Sequence, residues 1–286
     1  MESDPRIPPG YAAVREGRTT LVLRADAAEA LRAAGIADPE AAAAAAGAEA
    51  RTFQGRGRPV SFPVPGSPGL RVVARRYLHG GILRGLTGGL FPGAGRFLRE
   101  LATADGLFRR GAPVPEPFGI VVREAGAGTA RGWFLSREIE GVEDLRGMLL
   151  RLPPGDPVRH WALTAAGRAV RRLHDAGALH ADLHIKNILL PRAGGGEATV
   201  VDLDGARVLQ GGLSREQRAA QVQRLDRSLE KLAFKVRGSA SRADRRRLVL
   251  AYLGEDRPTE EESLRWRKKH RAALARHRLG WSLGAG

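Results

Sequence analysis

The sequence predicts an α+β chain of two lobes, a small β-rich N-terminal lobe over residues 1–140 and a larger helical C-terminal lobe over residues 141–286. Three observations predict it. Short apolar stretches punctuated by Gly- and Pro-rich turns fill the chain up to Ile139. Beyond residue 141 the apolar residues recur mostly at helical spacing. And 286 residues, 43% of them hydrophobic, are enough for about two cores.

The elements follow in order. Tyr11–Arg15 and Thr19–Leu23 flank a Glu16-Gly17 turn and read as a hairpin. Ala25–Ala34 and Pro39–Ala46 read as short helices stopped by Gly35 and Gly47, the second opened by an Asp38 cap and Pro39 in its first turn. Thr52–Val60 holds the Gly55-Arg56-Gly57 turn, and Leu70–Tyr77 reads as a strand. Phe97, Leu98, Leu101, Ala104 and Phe108 form a helical stripe that Pro113, Pro115 and Pro117 prevent from continuing. Phe118–Val122 and Trp133–Ile139 read as strands around a Gly-rich loop at 126–132. Val158, Trp161, Ala162, Ala165, Ala169 and Leu173 mark a long helix, with Gly177 in place to end it. Short strands at 188–190 and 198–201 follow, then helices at about 214–236, 242–253 and 259–277.

Composition removes several classes of chemistry. There is no cysteine, so disulfides, thiolate zinc sites and cysteine nucleophiles are excluded. No run of 18 apolar residues exists, so no membrane-spanning helix is expected. Met1–Pro5 has neither a basic nor an apolar stretch, so no secretory signal is expected. The formal charge is +16, which favours an anionic partner. Nucleic acid is not the expected one, because aromatics are only 5% and no helix-turn-helix, zinc or RNP-type motif occurs.

The strongest local signal is His180-Ala181-Asp182-Leu183-His184-Ile185-Lys186-Asn187, ahead of the apolar Ile188-Leu189-Leu190. It fits the catalytic-loop pattern of phosphotransferases except for Ala181, where that pattern has Arg. Val200-Val201-Asp202-Leu203-Asp204-Gly205 follows, with Asp202 15 positions after Asn187. Phosphoryl transfer needs a carboxylate to orient the attacking hydroxyl and accept its proton, and Asp182 can serve. It also needs oxygen ligands for a Mg²⁺ ion bridging the phosphates, and Asn187 and Asp202 offer them.

These segments resemble the protein-kinase-like superfamily, and within it the bacterial lipopolysaccharide core kinases, which phosphorylate Kdo or heptose. Further stretches resemble that family: Val73–Gly81, a strand followed by Gly80-Gly81; Phe97–Glu100 through Pro117, a helix with a Pro-rich exit; Asp204, where protein kinases carry Gly; and Arg224-Leu225-Asp226-Arg227-Ser228-Leu229. The likeness runs from about Tyr11 to Leu253 and implies a two-lobed protein-kinase-like fold that uses ATP and Mg²⁺. It implies Asp182 as catalytic base and His184 as a donor to the transferred phosphate. Asn187 and Asp202 become the metal ligands, with Asp204 as a possible helper. Gly55 and Gly57 become the loop over the phosphates, and Glu100 the acid that braces a phosphate-binding cation. Kinases normally place a lysine there, but no lysine precedes Lys186. Arg75 aligns best with that cation, because strand alternation turns Arg76 the other way. Glu138–Gly141 is the candidate hinge.

Residues 214–286 hold 19 basic and 9 acidic residues. Arg224, Arg227, Lys231 and Lys235 share one helix face, with Leu225, Leu229, Leu232 and Val236 on another. Arg265–His270 is a second basic, aromatic-containing patch. Either is a solvated face or a surface that meets a lipid-linked sugar substrate and the anionic inner membrane, making the protein peripheral on its cytoplasmic side. Three readings stay open: a sugar kinase of the lipopolysaccharide core, a kinase-like phosphotransferase for another small hydroxyl substrate such as an aminoglycoside, and a non-catalytic pseudokinase or anionic-surface binding module.

Overall fold

The structure, a computed structural model, describes residues 6–54, 57–78 and 88–255. Gly55, the Gly80-Gly81 element, the helix expected at 259–277 and the Arg265–His270 patch lie outside the described residues. The chain divides into two compact units: residues 1–109 with 115–140, and residues 110–114 with 141–286. The expected boundary at 140 therefore meets one excursion. Residues 110–114 go with the second unit, where the Val200 amide donates to the Pro113 carbonyl at 2.7 Å.

The first unit is built on an antiparallel sheet. Its strands are β1 (Tyr11–Glu16), β2 (Thr19–Arg24), β3 (Arg51–Thr52), β4 (Val60–Pro63), β5 (Arg71–Arg76), β6 (Phe91–Pro92), β7 (Pro117–Gly126) and β8 (Thr129–Arg137). The order is β1-β2-β7-β8-β5-β4-β3, with β6 also paired to β8. Helices α1 (Ala28–Ala33) and α2 (Pro39–Ala45) cover one face. There Leu31, Ile36 and Ala42 pack on Leu21, Phe62, Val72, Ala74, Trp133 and Leu135. The Asp38 side chain caps α2 by accepting from the Ala41 amide. Helix α3 (Gly95–Arg109) buries Phe97, Leu98, Leu101 and Ala104 of its predicted stripe, but Phe108 is exposed and Leu107 is buried in its place.

The β7–β8 hairpin differs from expectation. Its two strands run on to a tight turn at Ala127 and Gly128, both with positive φ, in place of a loop over 126–132. Gly132 is a strand residue, and the ring of Phe97 lies where its Cβ would be, at 2.8 Å. A glycine here makes room for α3 rather than for a loop.

The second unit is mainly helical. After β9 (Val142–Asp144) come α4 (Leu145–Arg151) and α5 (Pro157–Asp175). Short pieces β10 (Ala178–Leu179), β11 (Ile188–Pro191), β12 (Thr199–Val200) and β13 (Arg207–Val208) follow, then α6 (Arg215–Lys235) and α7 (Arg242–Leu253). Strand β9, where helical pattern was expected, pairs with β11. Its last residue, Asp144, caps α4 through the Gly147 amide at 2.7 Å.

Helices α5 and α7 pack closely. A Cβ on Gly167 would stand 2.4 Å from the Leu248 carbonyl oxygen and 2.9 Å from the Ala251 Cβ. The buried Arg159 holds their ends together: it donates to Asp244 at 2.7 Å and to the carbonyls of Leu149, Leu152 and Ser239. A buried guanidinium is tolerable only when its donors are satisfied in this way.

Candidate active site

The second unit brings Asp182, Asn187 and Asp202 together through backbone bonds that the motif itself supplies. Helix α5 ends at Gly177 (φ +85°), where any Cβ would meet the Leu209 carbonyl at 2.7 Å. The chain then pairs Ala178 and Leu179 with Val208 and Arg207 and enters the loop at His180. Leu183, Ile185 and Ile188 are buried and anchor the loop from beneath, while Asp182 is exposed.

His180 is buried and sets the geometry. Its Nδ1 accepts the Asp182 amide at 3.0 Å, so that nitrogen carries no proton. The proton then sits on Nε2, which donates to the Val201 carbonyl at 3.2 Å. Burial pushes the pKa of His180 down, although the Val201 bond and the charges of Asp202 and Asp182 oppose this. A neutral imidazole thus links the loop at Asp182 to the segment before Asp202. A second link runs in parallel: the Val201 amide donates to the Asn187 carbonyl at 2.9 Å. Asn187 also reaches back, its Nδ2 donating to the Asp182 carbonyl at 2.9 Å.

Asp202 has φ +64°, in the left-handed region. That costs a non-glycine residue about 1–2 kcal/mol, and such conformations persist where the surroundings impose them. The turn after it closes on the loop: a Cβ on Gly205 would stand 3.3 Å from the Ala181 Cβ. Ala181, where the motif pattern has Arg, is therefore beside this turn. His184 places Nε2 3.5 Å from an Asp182 carboxylate oxygen, too long for a good hydrogen bond.

Asn187 and Asp202 suit a Mg²⁺ ion. With Nδ2 occupied by the loop, the Asn187 amide oxygen is the group left to bind, and no protein donor reaches it among the described residues. Mg²⁺ characteristically takes one or two protein oxygens and completes its shell with phosphate and water. Among the described residues no three His, Asp or Glu side chains form a self-sufficient metal cage.

The first unit brings together Arg75 and Glu100. Arg75 follows the core-facing Ala74 on β5 and points to the opposite face, where it forms an ion pair with the buried Glu100 of α3. Its guanidinium also lies 5.9 Å from the ring centroid of Phe134, its partner in register on β8. Arg76 points to the other face, 6.0 Å from the Trp133 ring, and donates to the Gly88 carbonyl. Gly57 has φ +83°, and a Cβ there would meet the Arg76 carbonyl oxygen at 2.7 Å, so glycine alone fits against β5. The Glu138 side chain, at the candidate hinge, is taken up inside the first unit by Arg71 and Arg51, each at 2.6 Å, and by Ser61. Burial would raise its pKa, but these bonds hold it below the usual carboxylate range.

Helix α6 supplies contacts that the charge pattern alone does not reveal. Arg224 donates to the Ala181 carbonyl, and the Ile185 amide donates to Ser228 Oγ at 3.2 Å. The basic face, read as either solvated or substrate-facing, thus leans partly on the 180–187 loop. Of the expected apolar face, Leu225, Leu229 and Leu232 are buried, whereas Val236 ends the helix exposed. The signal for the loop contact was present as Arg224 and Ser228, one helical turn apart.

Comparison with known proteins gives consistent matches. A family model described as the lipopolysaccharide kinase (Kdo/WaaP) family matches residues 72–252. A protein of Xanthomonas euvesicatoria pv. vesicatoria (strain 85-10), called 3-deoxy-D-manno-octulosonic acid kinase, is 34% identical over 176 residues, covering 60% of this chain and 65% of that protein. The match thus spans just under two thirds of that relative's length. A protein of the same name from Mannheimia succiniciproducens is 27% identical over 174 residues, covering 59% of this chain and 70% of its own length. The solved structure of WaaP in complex with acyl carrier protein superposes with a TM-score of 0.54 at 21% identity, over 86% of this chain and 94% of that one, which shows a shared fold.

Proposed function

This chain belongs to the lipopolysaccharide kinase (Kdo/WaaP) family, and on that premise we propose that it transfers the γ-phosphate of ATP to a sugar hydroxyl, of Kdo or of heptose, in a lipopolysaccharide core. The observation that carries this reading is the double tie of Val201 to His180 and Asn187, which holds Asp182, Asn187 and Asp202 in one cluster.

Asp182 orients the sugar hydroxyl and accepts its proton. Its exposed carboxylate can meet a large acceptor, while its backbone is fixed at both ends by His180 and Asn187. A positioned acid or base of this kind is worth about 10²–10⁴ in rate. Asn187 and Asp202 hold Mg²⁺, and His184 donates to the phosphate in transfer. When bound there, the metal would neutralise the negative charge that develops on the phosphate during transfer. Arg75, braced by Glu100, grips phosphate oxygens of the nucleotide in the role usually given to lysine. Its planar fork offers two parallel donors where lysine offers a point charge. The loop of Gly55 and Gly57 covers the phosphates, and backbone groups of 138–141 receive the adenine.

The acceptor is a lipid-linked sugar, and the protein is cytoplasmic, meeting the inner membrane peripherally through Lys231 and Lys235 of α6. No helix among the described residues is long and apolar enough to cross a membrane. The test is incubation with Mg-ATP and a panel of acceptors: Kdo-lipid A, heptosylated core and aminoglycosides, with the phosphate located by mass spectrometry. Phosphorylated Kdo or heptose is expected. Phosphorylation of an aminoglycoside alone, or of nothing, would overturn the reading.

A further inference from the structure

Helix α6 sorts its charges by direction. Asp226 and Glu230 are buried and held by Arg245 of α7, with Arg245 Nε 2.6 Å from an Asp226 carboxylate oxygen. The acids thus face α7. The cations Arg224 and Arg227 lie three residues apart, neighbours on the helix surface, and Ser228 adjoins Arg227. Arg224 and Ser228 contact the catalytic loop at Ala181 and Ile185, on either side of Asp182, so Arg227 lies between two points where the helix meets the loop.

Both guanidiniums are half-buried, and no carboxylate forms an ion pair with either among the described residues. Burial, and then the like charge of Arg224, push the Arg227 pKa below its usual value, with Asp226 opposing only in part. Two cations crowded together on the helix face that meets the 181–185 loop are unfavourable unless an anion joins them.

We infer that Arg224 and Arg227 form the subsite for the acceptor's own anionic group, a carboxylate or phosphate, and so set which hydroxyl reaches Asp182. This rests on the phosphotransfer reading and deepens it. Arg227 supplies the grip. Arg224 both braces the Ala181 carbonyl and adds charge.

The experiment compares the full chain with Arg227→Gln and Arg227→Lys. Acceptors are free 3-deoxy-D-manno-octulosonic acid, its neutral carboxamide, and Kdo-lipid A with and without the lipid phosphates. A charge-assisted bidentate contact predicts an acceptor KM raised about 10- to 100-fold in Arg227→Gln, with the KM for ATP changed less than about twofold. Arg227→Lys should recover part of the loss. A penalty that disappears with the carboxamide assigns the site to the sugar carboxylate; one that disappears without lipid phosphates assigns it to them. Equal acceptor KM in wild type and both variants, at unchanged melting temperature, would overturn the subsite. If Arg227→Gln melts early, Arg227→Lys decides, because lysine cannot grip two oxygens and should still raise the KM severalfold. Calorimetric titration of the sugar acid without nucleotide separates the two claims. Arg227-dependent binding without turnover would sink the kinase reading and keep the subsite, whereas turnover without Arg227 dependence would do the reverse.

Discussion

His180 shows how a single side chain organises the site. Held neutral by burial, it can accept from Asp182 and donate to Val201 at once, which a protonated ring cannot do. The residues of this cluster were legible in the sequence because the motif makes its own contacts over short range: 180 to 182 and 182 to 187. Arg75 was picked out by the family resemblance and ranked above Arg76 by alternation, and its pairing with Glu100 follows from β5 presenting Ala74 to the core. Arg75→Ala is therefore expected to raise the KM for ATP about tenfold or more, the worth of a lost charged contact, while Arg76→Ala leaves it within about threefold. Steady-state kinetics at varied ATP checks this, and the opposite pattern would move the role to Arg76. Arg224 and Arg227 were legible as a candidate substrate or membrane surface but their place against the loop was not, because a charged helix face looks the same whether it meets water or a loop.

At the scale of elements, periodicity located the long helices and the strands near 188–190 and 198–201, but missed the shortest strands and the helix Leu145–Arg151. A helix of 12 residues such as α7 repeats its pattern several times, and its bounds fall where the spacing predicts. Strands β10 and β13 have two residues each and exist only through each other. Gly132 looked like loop and is strand, because the reason for its glycine, the ring of Phe97, sits 35 residues away. Gly167 is the corresponding case in α5. Gly167→Ala should be destabilising despite alanine's better helix propensity, since its Cβ would overlap the Leu248 carbonyl. Overpacking of this kind costs about 1–3 kcal/mol. Thermal unfolding followed by circular dichroism should show a melting temperature lower by several degrees; an unchanged or higher one would mean the α5–α7 contact is looser than described.

For the whole molecule, charge and pH set the working range. His174 is buried with Nδ1 2.9 Å from the Tyr252 hydroxyl, and burial, reinforced by Arg218, pushes its pKa down to about 3. The folded state thus refuses a proton that the unfolded chain takes up below about pH 6.5. Its contribution to stability is complete above that pH and declines as pH falls from about 6.5 towards 3, by up to about 1.4 kcal/mol per unit. His180 acts with the same sign. Urea unfolding at pH 7.5 and 5.0 should show this loss, and His174→Phe should flatten the slope; equal slopes would remove His174 from the account. The basic surface is tested with anionic vesicles. Lys231→Gln with Lys235→Gln should weaken binding about tenfold or more at low salt, each lysine adding about 1 kcal/mol near such a surface. Unchanged binding would leave these lysines as a solvated face.

The central claim is that the cluster around Asp182 transfers phosphate. The most direct measurement follows transfer from radiolabelled ATP to Kdo-lipid A by the wild-type chain and by Asp182→Asn, with nucleotide affinity measured in parallel. The account predicts turnover lower by about 10²–10⁴-fold in the variant, at nucleotide affinity within about twofold. Equal rates of transfer would contradict it.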